Sequence, residues 1–253
     1  MSKENMHIHS KYSWDCMRFG KMEISEIAKL LYDNGIRYGA ITDHIEFNCE
    51  SLQDVIDKLK IRNIEIDRIN EIYNGKVTLL KSAEISSPHL YKDKVEALEE
   101  LDLDFLMGSI HKIIRNGKTT ADKVHASYLY YREILKMVES RTVDVIGHLD
   151  YINRYYDKDY SSVYQVSEVT RAITENKQIM EINTSAARRT NKNTFPSIEK
   201  ICAYQLTGNN EVTVGTDAHQ YSELLDNLDS ADKIVSELSL KPVIYQKRKR
   251  IIL

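Results

Sequence analysis

Six of the eight histidines of this chain follow short apolar runs, and three carboxylates accompany them: His7 and His9, Asp15, His44, Glu84, His111, His148, then Asp217 and His219. Neutral imidazole and carboxylate are the groups that bind divalent transition metals, and a catalytic site keeps a coordination position open for water. Nine such residues are too many for one ion; they suit two or three, with one carboxylate bridging. Alternate side chains of a strand share a face, so His7-Ile8-His9 and Asp217-Ala218-His219 would each aim two ligands the same way if the strand continues that far. A histidine taken singly is more often a packed or surface residue than a ligand. The repeated setting is what carries weight here, and His89 and His125 lack it, His125 lying within a helical pattern. Coordination lowers the pKa of water to about 7 and makes hydroxide at neutral pH. Three ions held by three carboxylates and one hydroxide keep a net charge of about +2, which a phosphomonoester dianion would neutralise. A multinuclear hydrolase of small phosphate esters is the chemistry expected.

Placing these groups together requires a scaffold. Apolar, β-rich runs recur at Met6 to Ile8, Tyr38 to Thr42, Val77 to Leu80, Phe105 to Met107, Val143 to Ile146, Ile179 to Ile182 and Val212 to Val214, with a further short strand at Pro242 to Tyr245. Between them, apolar residues three or four apart predict helices over Ile24 to Asp33, Leu52 to Tyr73, Lys94 to Leu101, Ala121 to Glu139, Val163 to Glu175, Ile198 to Tyr204 and Leu224 to Leu238. Such alternation predicts a parallel sheet with crossover helices. An open sheet gathers ligands at one crevice, whereas here every strand but the sixth supplies a histidine or acid at or beyond its carboxyl end. A closed ring brings all those ends to one centre, so the expectation is an α/β fold, a distorted (β/α)7 TIM-like barrel with its chemistry on that face.

Composition agrees with one domain over residues 1–253. The chain is 42% hydrophobic and 29% charged, and its three prolines and nine glycines leave little room for linkers. No apolar stretch reaches the length of a membrane span, and the start, Met1-Ser2-Lys3-Glu4-Asn5, lacks the apolar core of a signal peptide. A cytoplasmic protein is expected. Cys16, Cys49 and Cys202 are odd in number and widely spaced, which indicates neither a disulfide framework nor a thiolate zinc site. A net charge of -3 offers no general attraction to nucleic acid or to an anionic membrane. The basic run Lys247-Arg248-Lys249-Arg250 reads as a solvated surface followed by a docking apolar tail, Ile251-Ile252-Leu253.

The ordered segments His7-Ile8-His9-Ser10, Thr42-Asp43-His44, Ala83-Glu84-Ile85, Gly108-Ser109-Ile110-His111, Gly147-His148-Leu149-Asp150 and Gly215-Thr216-Asp217-Ala218-His219 resemble the motifs of the polymerase and histidinol phosphatase (PHP) superfamily. The resemblance spans residues 7 to 219 and implies a seven-stranded distorted barrel with up to three metal ions, zinc, iron or manganese. It implies a first metal at His7, His9, Glu84 and Asp217, a second sharing Glu84 with His111 and His148, and a third at Asp15, His44 and His219. Many members have histidine where this chain has Asp15. Asp43 and Asp150, beside ligating histidines, are candidates for supporting contacts or for loop hydrogen bonds.

Two further segments resemble the phosphatase branch: Glu181-Ile182-Asn183-Thr184-Ser185-Ala186-Ala187-Arg188, and Gly147 through Arg154. The resemblance implies arginines facing the phosphate, with Arg188 first, Arg154 second, Ser185 beside them, and Arg189 the alternative to Arg188 by one residue of register. A guanidinium suits that task because its planar fork donates paired hydrogen bonds. Tyr155 or Tyr156 would stack on an imidazole or form a wall. The implied reaction is hydrolysis of L-histidinol phosphate to L-histidinol and phosphate in histidine biosynthesis, on a small-molecule substrate with neither nucleic acid nor membrane as partner. The alternatives are a nuclease or nucleotide bisphosphate phosphoesterase on the same scaffold, for which the acidic charge offers no strand-binding groove, and a catalytically silent barrel, against which the complete ligand set argues.

Overall fold

The computed structural model describes residues 4–16, 21–111, 122–156, 159–190 and 193–253. Met1 to Lys3, at the start of the segment read for a signal peptide, and Ala121, the expected first residue of a helix, lie outside them. Ten strands form one sheet: β1 (Glu4–Ile8), β2 (Tyr38–Ile41), β3 (His44–Ile45), β4 (Thr78–Ser86), β5 (Phe105–Ser109), β6 (Val145–Ile146), β7 (Ile179–Asn183), β8 (Glu211–Gly215), β9 (Lys241–Gln246) and β10 (Lys249–Ile252). Spatial order follows chain order, with β3 set beside β4, and every pairing is parallel except the terminal β9–β10 hairpin. Strands β1, β3, β5, β6 and β7 are buried along their whole length, as parallel strands covered on both faces must be. The expected barrel is thus present as its coarser form, an α/β fold with a mostly parallel sheet. The contacts between the ends of β1 and β8 include a bridge of Ile8 with Ala218 and the hydrogen bonds Asp217 N to His7 O, 2.9 Å, His9 N to Ala218 O, 3.0 Å, and Thr216 N to Asn5 Oδ1, 3.1 Å.

Crossovers are helical. Helices α1 (Ile24–Asp33), α2 (Leu52–Tyr73) and α5 (Val163–Glu175) start and stop where the periodicity predicts. Ser51 accepts the amide of Asp54 at the start of α2, and Ser162 with Gln165 forms a reciprocal capping box on α5, so donors that a helix start leaves open are satisfied locally. Among the described residues the remaining helices that are delimited are α3 (Lys92–Glu96), which continues as a 3-10 turn, α4 (Lys123–Ser140), α6 (Ala186–Arg189), α7 (Ile198–Gln205) and α8 (Leu228–Glu237).

Two expectations need correction. Strand β4 runs on past Leu80 to Ser86 although Lys81 and Ser82 end its apolar run, because the Lys81 ammonium reaches out to Asp67 at 2.6 Å and Asp102 at 2.7 Å while the backbone continues in register with β5. That extension is what delivers Glu84. The apolar tail does not dock: Lys247 and Arg248 form the hairpin turn with positive φ, and β10 pairs with β9 while Ile252 stays 53% exposed.

One buried ion cluster ties the loop after β6 to α7. Lys200 inserts its ammonium between Asp150 and Asp159, and Asp150 also accepts the Tyr131 hydroxyl at 2.7 Å and the Ser197 amide at 2.9 Å. Burial pushes the Asp159 carboxyl up, but Lys200 outweighs it and holds that group at about 2. Removing the cation leaves the buried Asp150 carboxylate without its counter-charge, so Lys200→Met is expected to destabilise the fold by about 3–5 kcal/mol. Urea unfolding of the two proteins checks this, and an unchanged midpoint would refute it.

Candidate metal centre

All nine ligand candidates lie at the carboxyl ends of the parallel strands. His7 lies within β1 and His9 just beyond it; His44 opens β3 and is paired in register with Glu84 of β4; His111, His148, Asp217 and His219 sit in the loops after β5, β6 and β8. Two of them occupy left-handed backbone, His148 with φ of 23° and Asp217 with φ of 53°. Conformations of this kind are uncommon for residues with a side chain and collect at functional sites. Gly215 permits the close approach of β8 to β1, since a Cβ there would stand 2.4 Å from His7 Cβ and 2.6 Å from Glu181 Oε1.

Distances among the donor atoms test whether they fit an ion. Ligand bonds of about 2.0–2.1 Å place neighbouring donors about 2.8–3.4 Å apart in octahedral or tetrahedral geometry. In the first group His7 Nε2 lies 3.0 Å from His9 Nε2, 3.4 Å from Glu84 Oε2 and 3.6 Å from Asp217 Oδ1, and His9 Nε2 lies 3.5 Å and 3.2 Å from the same two oxygens. In the second, Glu84 Oε1 is 3.1 Å from His111 Nε2 and 2.8 Å from His148 Nε2, with the two nitrogens 3.4 Å apart. In the third, Asp15 Oδ2 is 3.1 Å from His44 Nε2 and 2.9 Å from His219 Nε2. His44 also lies close to the other groups, grouping with His9 and His219 and with Glu84 and His111. Glu84 thus faces two groups with its two oxygens, the geometry a bridging carboxylate needs.

The outer ring nitrogens strengthen the fit. His7 Nδ1 faces Glu181 Oε1 at 2.7 Å, His9 Nδ1 faces Ser13 Oγ at 3.0 Å and His219 Nδ1 faces the Asp217 carbonyl at 2.9 Å. An acceptor at Nδ1 keeps the proton there and turns the Nε2 lone pair inward, as metal-bound histidines require. Glu84 Oε2 and His44 Nδ1 approach to 2.9 Å, yet neither has a hydrogen-bond partner among the described residues. Atoms that crowd together without bonding one another suit a shared cation. The chain is therefore equipped for divalent metal binding at this centre.

Charge is concentrated here. Burial pushes the Glu84 carboxyl up, but His111, His44 and His7 outweigh it and hold it well below the carboxylate range; Asp217 is held low against its burial by His7, His9 and His219. Burial lowers His7, yet Glu181, Glu84 and Asp217 together raise it well above its ordinary value. His44 is likewise carried up to about 10 against burial, chiefly by Glu84.

Glu181 corrects the expectation that the sixth expected strand, β7, supplies no group. It is fully buried, it orients His7, and its Oε2 accepts the amide of His148 at 2.8 Å and Asn183 Nδ2 at 3.1 Å. The signal was an acid two residues before a polar asparagine on one face of an otherwise apolar strand, Ile-Met-Glu-Ile-Asn. Glu181→Gln is expected to weaken metal binding or turnover by about 10–100-fold, read by metal titration; wild-type affinity in the variant would remove this role.

Above the donors opens a cavity of about 360 Å³, whose wall carries Arg154, Arg189, Trp14, Glu46, Tyr151 and Tyr155. Arg154 stacks over the Tyr151 ring, 4.5 Å from its centroid. Arg188, expected first at the phosphate, is turned away: its Nη2 donates to the Thr216 and Asp217 carbonyls at 2.8 and 3.0 Å, and Glu223 and Asp226 flank it. In the short helix α6 the next residue, Arg189, points to the cavity instead. Ser185, expected beside the arginines, does not line the cavity: it is buried, with its amide and hydroxyl both donating to Asn183 Oδ1 at 2.9 and 2.6 Å. Asp43 accepts the amide and hydroxyl of Ser10 at 2.6 and 2.9 Å and so fixes the turn after His9, whereas Asp150 serves the Lys200 cluster. Tyr155 borders the cavity, and Tyr156 packs on the core.

A model of the PHP domain matches residues 5–185, ending short of Asp217 and His219. The chain is 28% identical over 272 aligned residues to a probable histidinol-phosphatase of Clostridium acetobutylicum, covering 96% of each. It is 26% identical over 137 residues to a probable phosphatase of Photobacterium profundum, covering 54% of this chain and 49% of that one. In three dimensions it resembles the histidinol phosphate phosphatase of Lactococcus lactis, solved in complex with zinc, L-histidinol and phosphate, with a TM-score of 0.76 at 17% identity, over 99% of this chain and 100% of that one. At that identity the likeness speaks for the fold. The domain match takes in more than half of the sequence, and the chain belongs to the PHP domain family.

Proposed function

We propose that residues 1–253 form one metal-dependent phosphomonoesterase that hydrolyses L-histidinol phosphate to L-histidinol and phosphate. Support comes from the histidinol-phosphatase names of the relatives and from the chemistry of the cavity. The observation that carries the reading is the convergence of nine donors on the floor of a cavity with two arginines in its wall. Two or three divalent ions, with zinc, iron and manganese all suited to these ligands, would activate water and neutralise charge on a phosphoryl group.

His7, His9, Glu84 and Asp217 would hold one ion, Glu84 with His111 and His148 a second, and Asp15, His44 and His219 a third. Glu181 and Ser13 keep the Nδ1 protons of His7 and His9 away from the donor side. Arg154 and Arg189 bind phosphate oxygens and orient the ester, because a guanidinium fork matches phosphate geometry. Cysteine is not the nucleophile in this scheme: burial, then Asp15 and Asp43, push the Cys16 thiol up and keep it protonated. The contacts between the ends of β1 and β8 are read as the seam of an irregular barrel. Three free cysteines suit a reducing compartment, so the cytoplasm belongs to the proposal.

Phosphate release from a panel of histidinol phosphate, sugar phosphates, nucleotides and an oligonucleotide tests the reading. Preference for histidinol phosphate is the expected outcome. Equal or greater turnover on nucleotides or the oligonucleotide would favour the nuclease or bisphosphate branch.

A further inference from the structure

Trp14 is the chain's single tryptophan, and it stands 54% exposed on the wall of the metal-centre cavity. Indole is a large apolar surface that is normally covered, by the protein or by what it binds. The other aromatic groups of the wall carry ring or cation contacts, although Tyr155 is itself 63% exposed. Tyr151 lies against His111 and His148, and Tyr155 packs edge-on against Tyr151 at 5.9 Å with the Arg154 guanidinium 5.5 Å from its ring. Among the described residues the ring neighbour of Trp14 is His44, 6.4 Å between centroids and tilted by 34°. This leaves indole surface at the edge of the donor cluster, beside Asp15.

A phosphomonoester that places its phosphate on the floor, against Arg154 and Arg189, must lay its leaving group along the wall. Trp14, Glu46 and Gln220 are part of that wall. A planar nitrogen heterocycle gains twice there: its face stacks on indole, and its protonated form is drawn to the indole π-cloud and to the nearby carboxylate. We infer that Trp14 is the platform for the leaving group's heteroaromatic ring and a specificity-determining residue of the enzyme. The inference rests on the phosphomonoesterase reading above and adds the substrate's ring recognition to it.

The test uses the metal-replete full chain and two readouts. L-Histidinol, added with inorganic phosphate, should change the emission of the single tryptophan saturably, while the ringless amino alcohol alaninol should not. In Trp14→Ala the ratio of kcat/KM for histidinol phosphate over glycerol phosphate should fall about 3- to 10-fold, mainly through KM, and Trp14→Phe should recover part of it. Emission that stays constant at histidinol concentrations that inhibit turnover would overturn the platform, as would an unchanged ratio in Trp14→Ala. A wild-type enzyme with no preference for histidinol phosphate over glycerol phosphate would remove the functional reading and the platform together. A wild-type preference that survives in Trp14→Ala removes the platform alone.

Discussion

Glu84→Gln is expected to lower phosphate release by about 10³-fold or more. The substitution keeps the shape of the side chain and removes its charge, and the two atoms that face separate donor groups are no longer equivalent oxygens. Bridging is lost, and with it several kcal/mol of stabilisation of transition-state charge, where each 1.36 kcal/mol is about tenfold in rate. Glu84 is fully buried among His7, His44, His111 and His148, the only one of the nine candidates whose two oxygens face two separate groups. Metal content should fall in the same variant. A Glu84→Gln protein that turns over within tenfold of wild type would show that this carboxylate bridges nothing essential.

The second large effect separates neighbouring arginines. Replacing Arg154 and Arg189 together by alanine is expected to reduce kcat/KM by about 10³-fold, since each charged hydrogen-bonding group contributes about 1.5–3 kcal/mol. Metal content should stay at the wild-type level, because neither guanidinium is among the donors. Arg188→Ala should behave differently. It deprives the Thr216 and Asp217 carbonyls of their donor and loosens the segment that holds Asp217 in its left-handed backbone, so metal is lost first and activity follows. Steady-state kinetics with elemental analysis distinguishes the two. Full metal content with a raised KM in Arg188→Ala, and no effect of Arg189→Ala, would mean that the register of α6 is opposite to the one described.

The histidine donors were legible in the sequence because they follow apolar runs, and a parallel sheet gathers the ends of such runs on one side. Alternation reads His7 and His9 at the end of β1, whereas Asp217 and His219 lie beyond the end of β8, with Asp217 in left-handed backbone, so the loop and not a continuing strand brings them in. Helices with local caps, such as α2 after Ser51 and α5 after Ser162, were equally legible, since the cap and the periodicity agree within one segment. What escaped depends on partners remote in sequence. Glu181 becomes meaningful only beside His7, 174 residues away, and β4 continues through Lys81 only because Asp67 and Asp102 reach it. The choice between Arg188 and Arg189 turns on a rotation of about 100° per residue in a four-residue helix, too short for periodicity to orient. Trp14 sits between two candidate ligands in sequence, but its exposure on the cavity wall is a property of the folded loop.

Metal stoichiometry measured on the purified chain, alongside phosphate release from histidinol phosphate at each level of loading, tests the central claim most directly. Two to three ions per chain are predicted, with turnover lost on chelation and regained as the ions return. Undiminished hydrolysis by protein carrying less than one ion per chain would contradict it.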